Sequence, residues 1–167
     1  MRKKLLSSVM AACLMGSVVS AANAGEVVRH KIPGSDFPIA LAIEIPASAT
    51  LVNLSGQVPD VVDAKAPSDS IKAYGDTETQ TVSVLKSIED ILKSLGLTMG
   101  DVVKMQVFLV GDPGKGGKMD FAGFMKGYTQ FFATKEQPNT PTRSVFQVAG
   151  LANPGWLVEI EVSAVRK

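Results

Sequence analysis

Few side chains in this sequence could do chemistry, and their scarcity narrows the options. The chain has 167 residues with one histidine, His30, and one cysteine, Cys13. A serine triad needs a histidine held in place, and His30 stands near the start of the folded part, where chains tend to be loose. A zinc centre made from several His and Cys ligands is excluded by supply. What remains is an arginine in an unusual setting. In "NTPTRSVFQVAG" (139–150), Arg143 follows Pro138 and Pro141, which exclude a helix and push the residues before them into extended geometry. The run Val145-Phe146-Gln147-Val148 is then free to pair in a sheet, leaving Arg143 near the mouth of a strand. There a guanidinium either lies in solvent, the plainer reading, or enters a cleft and grips a carboxylate with two parallel hydrogen bonds.

The first 24 residues stand apart from that fold. "MRKKLLSSVMAACLMGSVVSAANA" has a basic start, an apolar middle interrupted by serines and a glycine, and Ala22-Asn23-Ala24 as a small-x-small cleavage site. It predicts export to the periplasm or beyond, with cleavage after Ala24 and no membrane segment in the mature domain, 25–167. Lipid attachment at Cys13 is the weaker reading, because Met10 fits such a site poorly and apolar residues continue beyond it. Cleavage would remove Cys13 with Arg2, Lys3 and Lys4, from totals of 17 basic and 16 acidic residues. The mature chain is then mildly acidic and has neither a thiol nor a disulfide.

That balance bears on partners. Nucleic-acid binding calls for a concentrated basic face, and the lysines here are scattered, so no nucleic-acid partner is expected. "GDPGKGGK" (111–118) lacks the spacing of a phosphate loop and is followed by Met119, not Ser or Thr. It reads as an exposed, flexible basic loop.

The elements that must position these residues follow from periodicity. "IALAIEI" (39–45) and "LVNLSGQV" (51–58) read as two strands joined by "PASAT" into a hairpin. Residues 59–76 read as a surface loop. Thr77 and Gln80 suggest a capping box, Gly96 a stop, and between them Val84, Leu85, Ile88, Ile91, Leu92 and Leu95 form a helical stripe. "DVVKMQVFLV" (101–110) reads as a strand. After Asp120 a second helix carries Phe121, Phe124, Met125, Tyr128, Phe131 and Phe132, an aromatic stripe of the kind that builds cores. Two more strands follow, the last being "LVEIEVSAV" (157–165). The order β-β-α-β-α-β-β predicts one α+β domain, a mostly antiparallel sheet with both helices on one face. Alternation groups Leu51, Asn53 and Ser55, then Arg143, Val145 and Gln147, with Glu159 and Glu161, on an uncovered face that another subunit would bury. Clefts at such contacts are common ligand sites.

"LSGQVP" (54–59), "TETQTVSVLKSIEDILKSLGLTMGDVVKMQVFL" (77–109), "FAGFMKGYTQFF" (121–132) and "PTRSVFQVAGL…VEIEVSAV" (141–165) together resemble the RidA/YjgF family, also labelled L-PSP endoribonuclease or translation initiation inhibitor. The likeness runs from about Phe37 to Val165. It implies a chorismate-mutase-like subunit, a homotrimer with clefts between subunits, and cofactor-free hydrolysis of reactive enamines and imines to 2-keto acids and ammonia. By the same resemblance Arg143 holds the substrate carboxylate, Ser55 is the serine of the SGQ motif, and Glu159 positions the attacking water. Ile39 and Val145 fall at substrate-lining positions, where the family often has tyrosine and cysteine. The connection before Glu159 is one residue longer. Two other readings stay open: an exported carboxylate-binding protein with little turnover, and an endoribonuclease or translation inhibitor, which export and low positive charge both oppose.

Overall fold

A computed structural model describes residues 25–166; the predicted export segment and its Cys13 lie outside the described residues. Six strands and two helices appear: β1 (Val28–Lys31), β2 (Ala40–Glu44), β3 (Thr50–Gln57), α1 (Thr77–Ser94), β4 (Val102–Val110), α2 (Phe121–Tyr128), β5 (Thr142–Val148) and β6 (Val158–Arg166). The main sheet has the order β3-β6-β4-β5, antiparallel except for the parallel β4–β5 pair. The α+β architecture is as expected.

The core lies between one sheet face and the helices. Val84, Leu85, Ile88 and Leu92 of α1 are fully buried, as are Phe124 and Tyr128 of α2. They meet Met105, Val107 and Leu109 of β4 and Val158, Ile160 and Val162 of β6. Each buried aliphatic side chain contributes roughly 1.5–3 kcal/mol of transfer free energy. The period-two pattern of β6 puts Val158, Ile160 and Val162 together on the side that the helices cover. Among the described residues, no helix is long and apolar enough to cross a membrane.

Several expectations need correction. Strand β2 does not form a hairpin with β3. It pairs antiparallel with β1, from Val28↔Glu44 to Lys31↔Ala40, while β3 pairs with the central strand β6. Strand β1, "VRHK", is too short and polar for periodicity to reveal. Arg29 anchors it, donating from Nη2 to the carbonyls of Gly100 and Val102 at 2.9 Å each. His30 therefore lies within a strand, 2.8 Å from Glu44 across the ribbon. The second helix stops at Tyr128, and Phe132 stacks on Tyr128 from the following turn at 4.9 Å between ring centroids. The 111–118 loop is exposed but built, with Asp112 bridging to Lys118 and its carboxylate accepting from the Gly114 amide at 2.7 Å.

The cap of α1 is also not the expected one. Asp76 is the N-cap, its carboxylate accepting the Thr79 amide at 2.9 Å. That backbone bond, the largest cause, holds the Asp76 carboxyl below its ordinary pKa. Gln80 is fully buried and does a different job. Its amide donates to the carbonyls of Gly75 at 2.9 Å and Gly155 at 3.0 Å, and its Oε1 accepts the Leu157 amide at 2.7 Å. One glutamine thus ties the start of α1 to the connection that delivers Glu159. Gln80→Leu would leave a buried N–H and two carbonyls without this partner, at about 1–3 kcal/mol per unsatisfied group. Urea unfolding should show a loss on the order of 3 kcal/mol.

Candidate active site

Pro138 and Pro141 deliver Arg143 as expected, and the surrounding bonds show how. Gln137 accepts the Asn139 amide at 2.9 Å and donates to the Phe131 carbonyl at 3.1 Å, while the Pro141 carbonyl accepts from Ala40 of β2 at 2.9 Å. The incoming chain is therefore fixed between the end of α2 and the start of β2. In the parallel pairing Arg143 lies beside Met105, and Val145 beside Val107. Met105 and Val107 are core residues, so Arg143 and Val145 face the helices. The expected grouping of Arg143, Val145 and Gln147 on the uncovered face is thus incorrect. The outward residues of β5 are Ser144 and Phe146. Alternation sorts residues into two sides but does not say which side the helices occupy.

Around Arg143 the structure builds an aromatic cage. Its guanidinium carbon lies 4.2 Å from the ring centre of Tyr128, 5.0 Å from Phe124 and 5.6 Å from Phe37. Cation–π contacts of this kind contribute about 0.5–2 kcal/mol each, more when water is excluded. Nη2 lies 3.3 Å from the Met125 sulfur, a weak acceptor, and Nη1 is buried without a hydrogen-bond partner. Three ion pairs occur among the described residues, and none includes Arg143. Burial lowers its pKa, opposed by the nearby Tyr128 phenol, yet an arginine so placed remains charged at any physiological pH.

Sequence reasoning assigned Phe124 and Tyr128 to the core, and both are fully buried there. It did not show that the same rings support the arginine. Their spacing of four residues on α2 was the available signal. Phe37, immediately before Pro38, carried none.

Tyr128 offers an independent probe of this packing. Its hydroxyl donates to the Pro38 carbonyl at 2.8 Å, and burial, partly opposed by Arg143, pushes its pKa up to about 12. The unfolded phenol ionises near 10, so between about pH 10 and 12 the unfolded state binds fewer protons than the folded one. The stabilisation present below pH ~10 is therefore drained as pH rises through about 12, by at most ~3 kcal/mol. Ultraviolet difference titration should show a late-ionising phenol that Tyr128→Phe removes, and unfolding midpoints should fall over the same window.

Arg143 and Ile39 line one cleft of about 210 Å³, together with Ile32, Leu41, Lys104 and Thr142. Val145 packs against the core instead. Ser55 and Glu159 lie elsewhere, on the open face of the sheet. Glu159 is opposite Phe108 in the β4–β6 register, and Ser55 sits where β3 bulges between Leu54 and Gln57. The bulge has a purpose visible at Gly56: a Cβ there would collide with the Glu159 carboxylate. Glycine at this position lets the carboxylate lie across β3. Phe108 and Phe146 stack on the same face at 6.1 Å, and Leu51 and Phe146 are 50% and 45% exposed. One chain therefore sets Arg143 and Ile39 on one cleft, while Ser55 and Glu159 lie on the open face, on the other side of the sheet. Among the described residues, no group of three or more His, Cys, Asp or Glu side chains could hold a metal ion.

The fold is that of an α+β protein with a ring-caged arginine, free of any ion pair among the described residues, on the edge strand of the main sheet and a carboxylate on the uncovered sheet face. The chain belongs to the endoribonuclease L-PSP family, whose profile matches residues 36–166. It is 34% identical over 139 residues to a RutC family protein of Haemophilus influenzae, covering 83% of this chain and 94% of that one. It is 30% identical over 153 residues to the 2-iminobutanoate/2-iminopropanoate deaminase of Salmonella typhimurium, covering 92% and 100%. The crystal structure of Escherichia coli TdcF with bound serine superposes with a TM-score of 0.54 at 32% identity, covering 83% of this chain and 94% of that one.

Proposed function

We propose that this protein is an imine and enamine deaminase of the RidA type, hydrolysing 2-imino acids to 2-keto acids and ammonia. The observation that carries this reading is the Arg143 guanidinium: caged by three rings, with a buried Nη1 that has no partner and no carboxylate paired to it. Such a fork suits a planar carboxylate. The deaminase named above acts on imino acids, and that substrate class supplies both a carboxylate and an electrophilic carbon.

The chemistry needs no cofactor. The oxygen of water bonds to the imine carbon as the C=N electron pair moves to nitrogen. A carboxylate takes the proton from water and returns it to nitrogen. Collapse of the resulting amino alcohol re-forms a C=O bond and expels ammonia. Glu159 is the proton carrier in this scheme. It stands on the opposite face from Arg143, so a complete cleft takes Arg143 from one chain and Glu159 of the partner subunit. A homotrimer joined through the open faces, covering Leu51 and Phe146, meets that need. Ser55 beside the bulge would line the same cleft. Export after cleavage at Ala24 would put the reaction in the periplasm or outside the cell.

A second reading draws on Ile39, which lines the Arg143 cleft and carries no polar group. A carboxylate-binding protein with little turnover would look the same around Arg143. Ammonia release from freshly generated 2-iminobutanoate separates the two. Catalysis above the spontaneous rate, by a species of trimer mass in sedimentation equilibrium, is the expected result. Keto-acid binding without acceleration would replace the enzyme with the binding protein.

A further inference from the structure

We propose that Met125 is an oxidation site whose sulfoxide captures the Arg143 fork and closes the cleft to carboxylates. The capture stands on local geometry, and its effect on binding rests on the reading of Arg143 given above. The Met125 sulfur lies 3.3 Å from Arg143 Nη2, so the guanidinium already points a donor at a thioether, one of the weakest acceptors in proteins. No carboxylate among the described residues competes for it.

Access distinguishes Met125 from most other methionines of the domain. Met99 is 4% exposed and Met105 fully buried, whereas Met119 and Met125 are partly exposed at the rim of the core. Met105 is the strand neighbour of Arg143 but is fully buried, and of these four the sulfur of Met125 is the one that accepts from the Arg143 guanidinium.

The reaction is a two-electron oxygen transfer from a peroxide. A sulfur lone pair attacks one peroxide oxygen, an S–O bond forms as the O–O bond breaks, and the second oxygen leaves as water. Sulfur is oxidised and the peroxide reduced. The product is a polar sulfoxide, reversible by methionine sulfoxide reductases. Its oxygen is a strong acceptor placed beside a charged donor that has only a weak one. A charge-assisted hydrogen bond then holds the fork from within. An incoming carboxylate must break that bond before it can pair. The protein would lose its ligand under peroxide stress and regain it on reduction.

The test uses the processed protein and limiting hydrogen peroxide. Peptide mass mapping locates the added oxygen, nitrogen NMR of the arginine side chain follows Arg143, and calorimetry measures 2-ketobutanoate binding. The expected results are oxidation at Met125 and a shift of the Arg143 Nη signals. Keto-acid affinity should fall about tenfold, the worth of one competing charge-assisted bond, and recover with a reductase. Met125→Leu should show the same affinity before and after peroxide, measured against its own baseline. Met119→Leu should respond like the wild type.

Three results would each overturn the proposal. Met125 could resist oxidation while Met119 is oxidised. Arg143 signals could stay unmoved by Met125 sulfoxide. Met125→Leu could lose affinity on oxidation as much as wild type does. If the unoxidised protein fails to bind keto acid at all, the deaminase reading falls, and the Arg143 signals alone decide the capture.

Discussion

Arg143→Ala is expected to weaken keto-acid binding and slow imine hydrolysis by roughly 30- to 1000-fold, the equivalent of ~2–4 kcal/mol for a bidentate charge-assisted pair in a partly buried site. Calorimetry and ammonia release on the same preparations give the two measurements. Arg143→Lys should recover little. A lysine can place one charge near the rings, but it cannot present two parallel donors to a carboxylate. Stability should change by only about 1 kcal/mol, because two effects oppose each other. The cage gains cation–π attraction from Phe37, Phe124 and Tyr128, while burying a guanidinium with an unpaired Nη1 costs desolvation. A variant that binds and turns over like wild type would make Arg143 structural and remove the basis for the enzyme. A variant whose only defect is unfolding would do the same.

Glu159→Gln should abolish most turnover while leaving keto-acid binding nearly intact, a drop of about 100-fold or more for loss of the proton carrier. Gly56→Ala should act in the same direction by a different route. The new methyl group takes the space of the Glu159 carboxylate, the far end of a flexible side chain, so the carboxylate shifts with little cost to folding. The sharper test mixes two inactive proteins. If each cleft combines Arg143 of one chain with Glu159 of the partner subunit, unfolding and refolding Arg143→Ala with Glu159→Gln in equal amounts creates some clefts with both residues intact. Random assembly of a cyclic trimer makes about one cleft in four complete, so about a quarter of wild-type activity should return. If both groups served a cleft from the same chain, every cleft would lack one of them and no activity would return.

The sequence carries enough to place most elements because the strongest signals are local. The α1 stripe from Val84 to Leu92 and the alternation of Val158, Ile160 and Val162 are written in nearest neighbours, and the buried set repeats them. Arg143 is legible in the same way, since two prolines restrict the backbone around it whatever the rest of the chain does. Strand β1 escaped because four residues, half of them charged, give no period to detect. The role of Gln80 escaped for another reason. Its position three residues after Thr77 suits a cap, and only the approach of Gly155 and Leu157, far along the chain, turns it into a buried brace.

By itself, then, the amino-acid order determined the α+β class, the two helices, the core-facing residues of β6 and an arginine held at a strand mouth. All of these depend on periodicity and backbone restriction over a few residues. Tertiary structure alone decided that β2 joins β1, that β5 runs parallel to β4, and that Arg143 turns toward α2 while Glu159 turns away. Pairing partners and the covered side of a sheet are set by long-range burial. A strand with alternating side chains is consistent with either side until the helices choose one. That choice puts the two halves of the candidate site on opposite faces, and it is why the proposed chemistry requires a second copy of the chain.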